Sequence, residues 1–296
     1  SSLSSRPDRV FQGHTSIVWT VDFAPDGKTL ASAGADKDII VWNAESGVAV
    51  HTLRAHTETV MRVAFSPDGR ILASGAQDRL IHLWDTASGT LSGTLAGHDG
   101  WIVSLAFSPD GKRLASASND RRIILWDMAQ RRIEKVLEGH GDVVDAVSFS
   151  PDGKRLASGG DDNAVIVWDV QKGEPLMTLQ GHTSFLKAVS YAPDGRTIAS
   201  AGLDQKIILW DAATGRRIRT LAGQDSMIFC IGWTRDGSRL ASGGNSILIW
   251  DAAGGEILRS IRSFYGFVNG VSFSPDGRHL ASAQYDKTVL LFDRIP

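Results

Sequence analysis

Serine, histidine and aspartate recur together in this chain, the trio with which many hydrolases activate a hydroxyl nucleophile. The copies are His14, Ser32 and Asp36; His56, Ser74 and Asp78; His98, Ser116 and Asp120; His140, Ser158 and Asp162; and His182, Ser200 and Asp204. In every copy the serine stands 18 residues and the aspartate 22 residues after the histidine. Acyl transfer needs one singular, exposed serine with its base aimed at a substrate. Five equivalent trios, with the serine inside an apolar strand pattern, read as scaffold, because repeated units repeat their structural residues and sites are singular. Asp145, Asp161 and Lys187 are the only singular polar candidates, too few to define a reaction. No catalytic residue is assigned, and the chain reads as a non-enzyme.

Metal and cofactor chemistry has as little to stand on. Five of the eight histidines belong to the trios and so fall in different repeats; His51, His82 and His279 read as isolated. Metal ligands must converge to about 2 Å around one ion, and the single cysteine, Cys230, has no partner. The expectation is no metal and no cofactor. Gly243-Gly244 fits neither a phosphate-binding loop nor a dinucleotide fingerprint. The pairs Arg121-Arg122, Arg131-Arg132 and Arg216-Arg217 read as solvated loop residues, since the net charge is −2 and a basic field for nucleic acid is missing. No run of about 18 apolar residues calls for membrane insertion. One cysteine fits a reducing compartment, so a cytoplasmic location is expected.

The elements that must position these residues follow a fixed period. Tryptophan recurs at 42, 84, 126, 168, 210 and 250, and Phe292 takes the seventh place. A period of 42, once shortened to 40, marks a stacked repeat architecture. Each repeat carries four strand signals. In the first, Ile17 to Phe23 alternates apolar and polar residues, and Ala24-Pro25-Asp26-Gly27 makes a tight turn. Thr29 to Ala33 is the second strand, the apolar run Ile39 to Trp42 the third, and Val48 to Leu53 the fourth. After Phe292 too few residues remain for a fourth strand, whereas residues 8 to 12 form an unpaired strand at the start. Their pairing would close a ring of seven blades and remove two open edges. The expectation is an all-β, seven-bladed β-propeller of four-stranded antiparallel blades over residues 8–296. Residues 1–7 read as a Ser-rich linker from a longer chain.

With Gly-His at 13–14, 97–98, 139–140 and 181–182, Ala55-His56 as a variant, Trp-Asp at 84–85, 126–127, 168–169, 210–211 and 250–251, and Trp42-Asn43 as a variant, the chain resembles the WD-repeat (WD-40) β-propeller family. The resemblance implies a hydrogen-bonded tetrad in each regular blade: the five trios above completed by Trp42, Trp84, Trp126, Trp168 and Trp210. Blade six has Gln224 for histidine and lacks the turn aspartate. Blade seven has Phe264 for histidine and Phe292 for tryptophan. Neither is expected to form the full tetrad, and both are expected to be the less rigid part of the ring, with an atypical loop at 263–267. The regular array and Arg-rich, Asp-Gly-rich turns look like bacterial members, which are often joined to signalling domains such as serine/threonine kinases.

What remains is the set of residues that the frame does not require. Trp233 stands at the position of Phe23 and Phe65 and reads as core, but Trp19 and Trp101 have no such role. The position of Trp19 carries Met61, Val103, Asp145, Lys187, Phe229 and Asn269 in the other repeats. Two residues earlier stand Ile17, Thr59, Trp101, Val143, Phe185, Met227 and Phe267, and Tyr285 precedes the last turn aspartate. These positions vary while their surroundings repeat, and they are rich in aromatic and Met side chains, which favour recognition. In the family that region lines the mouth of the central channel, where members commonly hold peptides. The expected function is a monomeric, non-catalytic scaffold for a protein or peptide, with Asp145 and Lys187 setting polarity. The alternative is a regulatory or sensing module of a larger signalling protein.

Overall fold

The computed structural model describes residues 6–263 and 266–295. Twenty-eight strands and no helix are found among them. In the first repeat the strands are β2 (Val18–Phe23), β3 (Thr29–Gly34), β4 (Ile39–Asn43) and β5 (Ala49–Leu53), within a residue of the sequence-based bounds. They pair as an antiparallel meander, and seven such four-stranded sheets make up the fold. The turn at 24–27 closes with a Gly27 N–H to Ala24 C=O bond of 2.9 Å. Gly27 has φ +70°, which a side chain would strain.

The first strand of each blade packs on the first strand of the next all the way round: β2, β6 (Val60–Phe65), β10 (Ile102–Phe107), β14 (Val144–Phe149), β18 (Leu186–Tyr191), β22 (Cys230–Trp233), β26 (Val268–Phe273), and back to β2. These seven strands surround the central channel. The core fills the spaces between neighbouring blades, as where Ala31, Ile39 and Val41 of blade one meet Val60, Leu72 and Trp84 of blade two. The third strands are buried on both faces, which explains their unbroken apolar runs.

The ring closes as the chain ends suggest. Strand β1 (Arg9–Phe11) pairs antiparallel with β28 (Val289–Phe292), placing Arg9 opposite Leu291 and Phe11 opposite Val289. The Asp293 N–H donates to Asp8 Oδ2 at 2.7 Å, and Arg9 meets the Asp293 carboxylate at 3.3 Å.

All five expected tetrads are present. In blade three His98 Nδ1 donates to Asp120 Oδ2 at 2.7 Å, His98 Nε2 bonds Ser116 Oγ at 2.8 Å, and Trp126 Nε1 donates to the same hydroxyl at 2.8 Å. The aspartate also accepts backbone N–H bonds from Asp99 and Arg122, so it ties two loops together. Burial alone would raise the carboxyls of Asp36, Asp78, Asp120 and Asp162. The bonds from histidine and backbone outweigh it and hold them below the usual carboxylate range.

Blades six and seven solve the same problem with glutamine. In blade six Trp250 Nε1 donates to Ser242 Oγ (2.9 Å), the hydroxyl donates to Gln224 Oε1 (2.8 Å), and Gln224 Nε2 donates to the Ser246 carbonyl (3.1 Å). A backbone carbonyl thus replaces the missing aspartate. In blade seven Gln284 Nε2 reaches Ser282 Oγ at 2.6 Å while its Oε1 accepts from Ser263 Oγ at 3.3 Å. Phe264, at the histidine position, lies outside the described residues. Within the 263–267 loop, Gly266 has φ +113° and sits under the Tyr285 ring.

Candidate functional site

A bulge starts the channel wall. In β2 the register shifts between Val18 and Thr20, and β6, β10, β14, β18 and β26 shift at the equivalent place. The extra residue breaks the strict alternation of faces. The residues at the bulge, Trp19, Met61, Val103, Asp145, Lys187, Phe229 and Asn269, line a single cavity of about 110 Å³ together with Arg62. Seven residues spaced through the whole chain therefore meet around one space.

The residues just before each first strand are more exposed. Trp101 is 47% exposed, Phe185 44%, Met227 37% and Tyr285 49%, high values for large apolar side chains. Ile17 and Phe267 are half-buried. Phe267 packs edge-on against Phe229 with ring centroids 5.2 Å apart. The aromatic set is therefore divided: Trp101, Phe185 and Tyr285 face solvent, while Trp19, Phe229 and Phe267 are partly sheltered. Trp101 is fixed through its backbone, whose N–H donates to Asn119 Oδ1 at 2.6 Å. Trp233 packs against the core between blades five and six.

The polar residues of the cavity form an ion triad. Lys187 Nζ lies 2.7 Å from Asp161 Oδ1 and 3.1 Å from Asp145 Oδ1, and 5.6 Å from the centre of the Phe185 ring. Burial raises the Asp145 carboxyl, and its neighbour Asp161 adds to this against the pull of Lys187. Asp145 Oδ2 is buried with no hydrogen-bond partner. The lysine is committed to two carboxylates rather than held as a free base, which argues for positioning over proton transfer. Asn269 Nδ2 donates to the Val18 carbonyl at 3.0 Å, linking the last blade to the first.

Two charged residues in the channel escaped the sequence reading. Arg62 lines the mouth cavity and also a second cavity of about 270 Å³ deeper in the channel. Asp22 accepts from the Phe65 N–H at 2.9 Å, and burial pushes its carboxyl up to about 7. The signal for both was present in the repeats. The Arg62 position is Thr, Ser, Ala, Ala, Cys and Gly in the other six, and the Asp22 position is Ala, Ala, Ser, Ser, Gly and Ser.

Two histidines expected to be isolated are not. The His82 ring lies 4.2 Å from that of His56, and His279 Nδ1 bonds Asp293 at 2.6 Å. His56, Asp78 and His82 bring three donor atoms within 4.8 Å of one another. Both His56 nitrogens are already bonded, Nδ1 to Asp78 and Nε2 to Ser74, so the group is a tetrad with an added neighbour. Cys230 is buried, and burial pushes its thiol up to about 12, which leaves it unreactive. A further apolar groove of about 240 Å³, flanked by Ile247, Ile261, Leu290 and Phe292, holds none of the channel-mouth residues.

Comparison with known proteins agrees with this geometry. The family model "WD domain, G-beta repeat" matches residues 5–43, 47–85, 89–127, 131–169, 173–211, 215–251 and 256–293. Protein Mut11 of Chlamydomonas reinhardtii is 39% identical over 51 residues, 17% of this chain and 14% of that protein. A Notchless protein homolog of Arabidopsis thaliana is 42% identical over 53 residues, 18% and 11% respectively. Eukaryotic translation initiation factor 3 subunit I of Phaeosphaeria nodorum is 40% identical over 42 residues, 14% and 13%. Each match thus spans less than a fifth of the relative and carries the repeat rather than the whole protein. No helix among the described residues is long and apolar enough to cross a membrane. Propellers of this kind typically serve as protein-interaction scaffolds. Seven matched repeats, covering almost the whole chain and coinciding with seven closed blades, make the chain a member of the WD domain, G-beta repeat family.

Proposed function

We propose that the protein is a non-catalytic scaffold that binds a peptide segment of a protein partner across the channel mouth. The observation that carries this reading is the convergence of Trp19, Met61, Val103, Asp145, Lys187, Phe229 and Asn269 on one cavity, at a position where the repeats differ in chemistry while their surroundings repeat. The repeat pattern does not prescribe these side chains, and exposed Trp101, Phe185 and Tyr285 add apolar surface beside them. In this reading Trp101 and Phe185 are the outer anchors, Met227 and Tyr285 flank them, and Ile17 and Phe267 support the rim. The ion triad of Asp145, Asp161 and Lys187 sets polarity. The protein acts as a monomer, and its single unreactive thiol suits the cytoplasm.

The test is a peptide-display selection against the protein, followed by affinity measurement with the double variant Trp101→Ala, Phe185→Ala. Each anchor contributes on the order of 2 kcal/mol when buried, so affinity should fall more than tenfold. Unchanged affinity in a folded variant would remove this face from the account.

A further inference from the structure

The channel contains a cation whose acidic neighbour Asp22 acts on it by charge alone, from beyond ion-pair distance. Arg62 is the only charged residue at its position in the seven repeats; Thr20, Ser104, Ala146, Ala188, Cys230 and Gly270 stand at the others. Small side chains around it leave open space, and Arg62 borders both the mouth cavity and the deeper one. Its Nε is buried and bonds to nothing, and no carboxylate lies within ion-pair distance of the guanidinium among the described residues. A guanidinium presents five donors in a planar fork suited to a carboxylate. Keeping it sheltered and unpaired is costly, and the cost is visible as a lowering of its proton affinity by burial.

A second unsatisfied group lines the same cavity. Asp145 is 8% exposed, its Oδ1 is held by Lys187, and its Oδ2 is buried without a partner. One cavity of about 110 Å³ is therefore lined by a guanidinium and a carboxyl, each with an atom that bonds to nothing. That volume suits one short side chain, not a folded element.

We propose that the channel mouth takes an acidic residue of the bound peptide, its carboxylate held by the Arg62 guanidinium. This rests on the peptide-binding reading of the mouth and gives it a chemical preference. The aromatic rim would supply affinity, and Arg62 would select the residue that enters. Losing a charge-assisted pair of this kind should weaken binding by more than about tenfold.

The test compares the full chain with Arg62→Met and Arg62→Lys. Thermal melting checks that each variant stays folded, and the lysine variant keeps the charge without the fork. Peptides selected on the wild type should carry Asp or Glu at one shared position. Replacing that residue by Asn or Gln should cost more than tenfold in affinity for the wild type and little for Arg62→Met, with Arg62→Lys between. If selected peptides bind through Trp101 and Phe185 yet show no acidic position, the carboxylate proposal fails and the scaffold reading stands. If no selected peptide depends on Trp101 and Phe185, the mouth reading itself fails. In that case titration with N-acetyl-L-glutamate, against N-acetyl-L-glutamine, decides the role of Arg62. Equal or absent binding of the two overturns it. Binding of N-acetyl-L-glutamate as tight as that of any peptide would make the site one for free small acids and overturn the peptide assignment.

Discussion

Phe11, on the strand that begins the chain, lies against Trp42 of blade one, with ring centroids 5.4 Å apart and Phe11 1% exposed. The strand that completes blade seven by hydrogen bonds is thus also packed into the core of blade one. Deleting residues 8–12 removes a strand, opens the edge of β28 and uncovers Trp42 at once. The melting temperature should fall by about 6–20 °C, since losing a large buried aromatic alone costs about 3–5 kcal/mol. An unchanged melting temperature in the deletion variant would mean that the closure is dispensable.

The tetrads and their substitutes allow a comparison within one chain. Ser116 Oγ serves both His98 and Trp126, whereas Ser282 Oγ in blade seven serves Gln284 and no tryptophan. Ser116→Ala leaves two buried groups without a partner, at about 1–3 kcal/mol each. Ser282→Ala leaves one. Denaturant unfolding should show the larger loss for Ser116→Ala. Equal losses would show that the tetrad bonds add nothing beyond packing.

His82 occupies a position that is Ile or Leu in the other six repeats. Its Nδ1 bonds Thr94 Oγ1 at 2.9 Å, but its Nε2 is buried without a partner, and burial, together with the charge of His56, brings it down to about 4. Its folded value lies below its unfolded one. The stability that it supports is therefore present above pH 6.5 and lost as the pH falls toward 4. His82→Ile should raise the melting temperature at pH 7.5, by about 1 kcal/mol of stability, and raise it more at pH 5. A smaller gain at pH 5 than at pH 7.5 would contradict this.

Asp22 works in the opposite direction. Its value is raised from 3.8 to about 7, first by burial and against the bonds from Phe65 and Ser272 and the charge of Arg62. The folded state holds its proton more tightly than the unfolded state. The stability it contributes is full below pH 3.8 and lost as the pH rises through 7. Asn at this position keeps an acceptor for the Phe65 N–H without the charge. The melting temperature of Asp22→Asn relative to the wild type should therefore be higher at pH 8 than at pH 4.5. Identical differences at the two pH values would show that Asp22 does not titrate in this range.

The period, the blade meander and the closing strand could all be read from the chain because each rests on repetition or its interruption. Trp126 and His98 recur at fixed spacing, and a strand was missing only after Phe292. Arg62 was passed over for a physical reason. Strict alternation places neighbouring residues on opposite faces of a strand, so a reading that put Met61 in the channel put Arg62 behind it. The bulge between Val60 and Arg62 breaks that alternation and brings both to one cavity. Gln284 was missed because it substitutes for histidine from another strand, a relationship that depends on the fold and not on spacing.

Hydrogen exchange on the full chain with and without a selected peptide tests the peptide-binding face most directly. Bound peptide should slow exchange at residues 17–20, 59–62, 101–104, 143–146, 185–188 and 227–230, the starts of successive first strands, and leave the fourth strands such as β5 unchanged. Protection confined to the outer edge strands, with those starts unaffected, would contradict a ligand lying across the channel mouth.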